Sequence, residues 1–258
     1  MRRIVAFFMM TALFAAAVSA QTMRAGKVFV HTARNSPIFY IKGAQTPIKA
    51  GTLVDAEGLR VKCGPNQCAM LVFSNRTVVF MRENSSLSVD SFMQMMPFDF
   101  DFKDDFESTR SDLAITLGNG EFYVLSPAQR PTSTMKFKSE YGTFQPQSRE
   151  FELEVSENGA RIAILDGQSA FTALDGKPDF LQAKQTGKIM KSESKGMYPL
   201  RIDYLSMIES ETCEKTIALC KFPFNSVRFF FDKKGGLSAE RVVQKEFLSR
   251  RTKYDFKR

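Results

Sequence analysis

Four cysteines fall as two local pairs, Cys63/Cys68 and Cys213/Cys220. An even count in an exported chain favours disulfides, and local pairing is the expected connectivity. Cys63 and Cys68 flank a four-residue stretch of turn chemistry, Gly64-Pro65-Asn66-Gln67, where facing strand residues come within bridging reach. For the second pair, an unbroken helix over seven residues sets the thiols about 10 Å apart, too far for a bridge. Either that helix ends near Cys213 or the partner lies elsewhere. A zinc site built from all four thiolates needs C-x4-C and C-x6-C spacings, and neither matches the usual C-x2-C knuckle.

The remaining chemistry is sparse. His31 is the one histidine and sits in a strand pattern without a G-x-S-x-G nucleophile context, so it reads as an ordinary strand residue. Asp99, Asp101, Asp104 and Asp105 invite a calcium reading, but the glycine and bidentate glutamate of an EF-hand loop are absent. Phe98, Phe100 and Phe102 alternate as one face of a strand does. They are candidate partner contacts, together with the basic residues Lys233, Lys234, Arg250 and Arg251. No glycine loop suited to phosphate occurs. The sequence therefore implies no catalytic residue, no cofactor and no metal.

The elements that carry these residues are strands. From Gly51 to Phe92 the chain alternates short apolar runs with turns. Leu59-Arg60-Val61-Lys62 has the strand period, Ala69 to Phe73 returns, Ser74-Asn75-Arg76-Thr77 turns, and Val78 to Met81 and Leu87 to Val89 follow. Similar runs recur about every ten residues from Ala25 to Ala173. The clearest hairpin is Phe151 to Val155, Glu157-Asn158-Gly159, Arg161 to Leu165. Pro47 to Ala50 reads as a further short strand. This spacing predicts an all-β sandwich rather than an α/β fold.

Residues 1–20 combine Met1-Arg2-Arg3, an apolar run from Ile4 to Val18 and Val18-Ser19-Ala20, which is a signal peptide with cleavage expected after Ala20. The run is shorter than the ~20 residues that span a bilayer. No second run of spanning length follows, so no transmembrane span is expected after cleavage. The formal charge is +8. Arg2 and Arg3 leave with the leader, and residues 226–258 hold ten Lys/Arg against four Asp/Glu, so the excess sits in the tail. In an exported protein such a tail meets an anionic envelope polymer or an acidic protein rather than nucleic acid.

The strand-rich part resembles the FecR domain family. The residues that carry the likeness are Gly26, Ile48 and Gly51, Gly58 to Val61, Ala69 to Phe73, Ser74-Asn75, and Ser85-Ser86-Leu87. Leu117 to Gly120, Pro131 to Ser133, Tyr141-Gly142, Phe151 to Val155, and Ile164 to Gly167 extend it over residues 25–190. The pattern departs at Gln67-Cys68, at Asn75 in place of the turn Asp, and at Arg76 in place of the Gly. The resemblance implies a two-sheet, jelly-roll-like sandwich on the outer side of the cytoplasmic membrane. Some relatives carry a sigma-factor-binding segment ahead of a membrane span. Only three residues precede the apolar run here, so that role is not carried over.

Residues 191–258 form a C-terminal appendage of small α/β character after a polar linker, Lys184 to Gly196. Helices are expected over Pro199 to Leu219 and Ser238 to Arg250, with Val227 to Phe231 as a strand between them. The sequence reading is thus an exported, non-catalytic cell-envelope module, periplasmic or secreted, that binds an envelope protein or a glycan. The alternatives are a carboxylate-based glycan-active enzyme on the same sandwich, or a periplasmic signal-relay component without a cytoplasmic segment.

Overall fold

A computed structural model describes residues 22–96, 106–174, 176–191, 200–233 and 235–242. The expected leader, the Phe98/Phe100/Phe102 stripe and its aspartates, Lys234, Arg250 and Arg251 lie outside the described residues.

The chain is an all-β sandwich with a small helical appendage. Its strands are β1 (Thr22–Ala25), β2 (Lys27–Arg34), β3 (Ile38–Ile41), β4 (Ala44–Gln45), β5 (Leu53–Asp55), β6 (Leu59–Lys62), β7 (Cys68–Phe73), β8 (Val78–Met81) and β9 (Ser86–Met96). After the insertion come β10 (Ser111–Leu117), β11 (Gly120–Leu125), β12 (Thr134–Ser139), β13 (Gly142–Pro146), β14 (Glu150–Ser156), β15 (Gly159–Ile164), β16 (Gln168–Ala173), β17 (Pro178–Gln182) and β18 (Gln185–Met190). The appendage contributes β19 (Leu200–Tyr204), helix α1 (Met207–Ser226), β20 (Val227–Phe231) and β21 (Leu237–Arg241).

Two sheets form the sandwich. The first runs β17-β16-β13-β12-β10-β9-β6-β3-β4, with β1 also paired to β9; the second runs β19-β18-β15-β14-β11-β8-β7-β2-β5. Inward-facing residues alternate along each strand and fill the space between the sheets. Phe39, Phe73, Phe92, Phe122, Phe137, Phe151 and Phe171 are all fully buried there. With no tryptophan in the chain, phenylalanine supplies the large apolar volume of the core. Gly26 is required by this packing, because a Cβ there would meet the Phe92 ring at 2.3 Å.

Several sequence neighbours lie in different sheets. β6 belongs to the first sheet and β7 to the second, so Gly64 to Gln67 is a corner that crosses the sandwich, not a hairpin turn. The same holds between β10 and β11, where Gly120 takes φ +127 and a Cβ would stand 2.3 Å from the Ser85 Cα. The expected hairpins β7–β8 and β14–β15 are present, with Val72 opposite Val78 and Ser156 opposite Gly159. Pro47 to Ala50 forms no strand; β4 lies just before it.

The second sheet has a covered outer face. Phe29, Met70, Val72, Val78, Tyr123 and Leu125 pack there against Cys213, Ile217, Cys220 and Phe224 of α1 and against Val227, Phe229 and Leu237 of the β20–β21 hairpin. This cover explains why Ala69 to Phe73 is apolar without alternation: both faces of β7 are buried.

The appendage departs from the expected helices. α1 begins at Met207, not Pro199, because Ser206 caps it: its Oγ accepts from the Glu209 N–H at 3.2 Å, and its own N–H donates to Glu209 Oε2 at 3.0 Å. Leu200 to Tyr204 instead pairs with β18, which places the strand beyond the boundary drawn near residue 190. Ser238 lies in β21, not at a helix start. Asp232 and Gly235-Gly236 turn the chain back, and β21 pairs antiparallel with β20.

Candidate interaction surface

No sulfur–sulfur bond joins the cysteines: all four are free thiols. Because Gly64 to Gln67 crosses between sheets, Cys63 points into the sandwich core, while Cys68 follows the alternation of Met70 and Val72 toward the outer face. Cys213 and Cys220 lie two turns apart in one continuous helix, with both thiols buried against the second sheet. The Cys213 thiol donates to Glu152 Oε2 at 2.5 Å. Burial pushes Cys63, Cys213 and Cys220 each up to about 12, aided at Cys213 by the Glu152 carboxylate. These are protonated packing groups, not nucleophiles.

His31 lies on the covered face. Its ring meets Phe222 edge-on with centroids 5.8 Å apart, and its carbonyl accepts a hydrogen bond from Arg241. Burial lowers it to about 4, and the Arg241 guanidinium adds to the effect. The ring is thus neutral at physiological pH.

Two of the carboxylates that line the second sheet, Glu121 and Glu152, are paired with arginines. Glu121 and Glu154 stand opposite each other on β11 and β14, with Glu152 two residues along. Glu121 accepts from Arg82 at 3.0 Å and from the Tyr123 hydroxyl at 3.0 Å. Glu152 accepts from Arg161 at 3.0 Å beneath α1. Burial raises Glu154 above the usual carboxylate range, and Arg161 opposes that shift. The hollow beside Glu154 measures about 190 Å³, with Arg161 and Lys188 in its wall. A larger hollow of about 380 Å³ lies at the β3–β4 end, lined by Phe39, Thr46, Pro47 and Ile48 with Lys49 as its one charge. No group of three or more metal-ligating side chains occurs among the described residues.

A buried polar network supports the β7–β8 turn. Ser74, Asn75, Arg76 and Thr77 are all buried, although turns usually face water. Asn75 Nδ2 and the Ser111 hydroxyl donate to Glu107 Oε1 at 3.1 and 2.7 Å, and the Arg130 N–H donates to Glu107 Oε2 at 3.3 Å. Arg76 adopts φ +71, in the left-handed region that favours glycine. Its guanidinium lies 4.3 Å from the centre of the Phe224 ring of α1. The appendage thus gives this buried arginine an aromatic packing partner.

Among the described residues, several exposed large apolar side chains lie on or next to the terminal strands β17 and β19. Leu174 and Phe180 mark the edge of the first sheet. Ile202 and Tyr204 lie on the edge of the second, and Met207 and Ile208 stand at the start of α1. Met207 is 86 % and Tyr204 74 % exposed. Of the contacts read from the sequence, Lys233 is the one described, exposed in the β20–β21 turn. The signal missed in the sequence was the strand alternation of Leu200-Arg201-Ile202-Asp203-Tyr204, which the helical spacing of Ile202, Leu205 and Ile208 obscured.

No family model matches the chain, and no curated protein matches it. Among solved structures, it is similar to two crystal structures described as a "putative anti-sigma factor" from Parabacteroides distasonis ATCC 8503, at 1.65 and 2.50 Å resolution. Identity is 7 % and 6 %, the TM-scores are 0.43 and 0.44, and each match covers 76 % of this chain and 91 % of the other. Among the described residues no helix is long and apolar enough to cross a membrane.

Proposed function

We propose that this chain is an exported, non-catalytic module of the bacterial cell envelope that binds a protein partner. The observation that carries the reading is the run of exposed apolar side chains Tyr204, Met207 and Ile208 where the terminal strand β19 passes into α1, with Phe180 exposed on the terminal strand β17. Monomeric proteins seldom leave large apolar side chains clustered in water without a contact to make. The described ionisable groups support binding over catalysis: buried thiols near 12, a neutral His31 and carboxylates already paired to arginines. The leader-like residues 1–20 and the FecR-like pattern support an address outside the cytoplasm.

The test is photo-crosslinking in intact cells from Phe180 or Met207, with Lys136 on the polar outer face of the first sheet as control. Expected are protein adducts from Phe180 and Met207 alone, and recovery of the chain in the envelope fraction lacking residues 1–20. Retention in the cytoplasm, or equal crosslinking from Lys136, defeats the reading.

A further inference from the structure

We infer that the free edge of β19 pairs with the same strand of a second copy, giving a twofold dimer through one continuous sheet. Among the described residues no strand lies beyond β19, which is the last of its sheet. The Leu205 N–H donates inward to the Lys184 carbonyl at 2.8 Å. Main-chain groups of successive strand residues point to opposite sides. Arg201 and Asp203 therefore direct theirs toward β18, while Leu200, Ile202 and Tyr204 direct theirs to the free edge. The Tyr204 N–H fits this assignment: it is met by its neighbour's carboxylate, Asp203 Oδ1, at 2.8 Å.

The edge is self-complementary in one antiparallel register. With Ile202 opposite the partner's Ile202, Leu200 meets the partner's Tyr204. Every residue in those pairs has its N–H and C=O aimed across the edge, which allows about six main-chain hydrogen bonds. The same register sets Arg201 opposite the partner's Asp203, and Asp203 opposite the partner's Arg201. Asp203 then passes the Tyr204 N–H to the partner's Leu200 carbonyl and takes the partner's Arg201 as its own pair. Leu200 is opposite Ile189 of the core, so Leu200, Ile202 and Tyr204 share the core-facing side of the sheet. The charges lie on the other side. Edge charges ordinarily guard a sheet against such pairing; here their order along the strand makes a like strand the matching partner. A closed twofold contact of this kind uses each edge once and does not propagate.

The experiment is sedimentation equilibrium of the full chain, expressed with its own N-terminal segment, over about 1–200 µM. The expected result is a mass that doubles with concentration. Arg201→Asp alone and Asp203→Arg alone each set like charges opposite each other twice, and each should weaken the dimer about tenfold or more. Mixing these two variants restores both pairs, so the mixture should dimerise where neither component does. The double variant R201D/D203R should match the original chain. Ile202→Pro removes an N–H from the free edge without touching the ladder to β18, and should leave a folded monomer. A monomer at every concentration overturns the inference, as do single variants that dimerise undiminished or a mixture no tighter than its components. Because the measurement uses purified chain alone, its failure leaves the binding of an envelope partner untouched.

Discussion

Replacing Arg161 with methionine tests whether the cover of the second sheet depends on a buried ion pair. Glu152 is 3 % exposed beneath α1. Its Oε1 faces Arg161 Nη1 at 3.0 Å, and its Oε2 takes the Cys213 thiol at 2.5 Å. Arg161 also reaches Glu209 in the first turn of α1 at 3.4 Å. Removing the cation leaves a carboxylate under the helix with a weak thiol donor as its remaining side-chain partner. Breaking a buried pair on one side costs about 3–5 kcal/mol. The Arg161 side chain is 17 % exposed, so water relieves part of this, and about 3 kcal/mol is the working figure. For a domain of this size that lowers the melting temperature by about 6–12 °C. Urea denaturation at pH 7 measures it directly. The double variant E152L/R161M removes both charges and keeps the volume, and it should recover most of the loss. A single-variant loss below about 1 kcal/mol, or a double variant less stable than Arg161→Met, would refute the reasoning.

Three further outcomes are expected. Between pH about 6.5 and about 4 the unfolded chain protonates His31 while the native chain keeps it neutral, so stability falls as the pH falls through that window. Partial exposure reduces the effect to about 2 kcal/mol, and urea melts across the window should show a shallower slope for His31→Phe; equal slopes would dismiss the assignment. A thiol reagent at pH 8 should label Cys68 alone in the native protein and all four cysteines after denaturation, since the other three are buried; native labelling of Cys213, or a denatured count of two, contradicts the packing. Ending the chain at residue 191 uncovers Phe29, Met70, Val72, Tyr123 and Leu125. At about 1.5–3 kcal/mol for each large side chain, that approaches a domain's whole stability, so circular dichroism should show no cooperative β transition. A truncated chain that melts like the intact one would separate the appendage from the core.

The sequence reads well where the period is unambiguous. Phe151 to Val155 alternates strictly, Glu157-Asn158-Gly159 turns, and the β14–β15 pairing follows in register. It reads poorly where the outcome depends on which sheet a strand joins. Nothing local distinguishes Gly64 to Gln67, which crosses the sandwich, from Ser74 to Thr77, which turns within one sheet; both are short turn-forming stretches. The Cys63–Cys68 bridge failed for that reason. In the appendage, Ile202, Leu205 and Ile208 satisfy the helical spacing as readily as Leu200, Ile202 and Tyr204 satisfy the strand period. The tie is broken by Ser206 and Glu209, whose capping box starts a helix at Met207 and leaves the preceding residues to the sheet. Ser238 precedes an amphipathic run and so resembles a cap, but the Asp232–Gly236 turn folds it back into β21, which pairs with β20 and sets Leu237 beside Phe229 against the second sheet.

The two outer faces of the sandwich differ in what they require. The first sheet turns Arg60, Ser88, Thr116, Lys138, Thr143 and Thr172 outward in one row across consecutive strands, a surface that water already satisfies. The second sheet turns Phe29, Met70, Val72 and Tyr123 outward, and α1 with the β20–β21 hairpin buries them. On the same sheet Glu121 is paired with Arg82, and Glu152, beneath α1, with Arg161. Apolar side chains remain exposed on both faces: Phe180 points outward from β17, and Leu219 and Phe222 stay exposed on α1. Further apolar side chains are exposed where β19 stops, because the chain leaves β19 there and enters α1 within two residues, Leu205 and Ser206. Leu205 turns into the covered core, while Met207 and Ile208 stay outside it. The connection that lets the appendage cover one face thus leaves Met207 and Ile208 exposed beside β19, whose outer edge no described strand pairs.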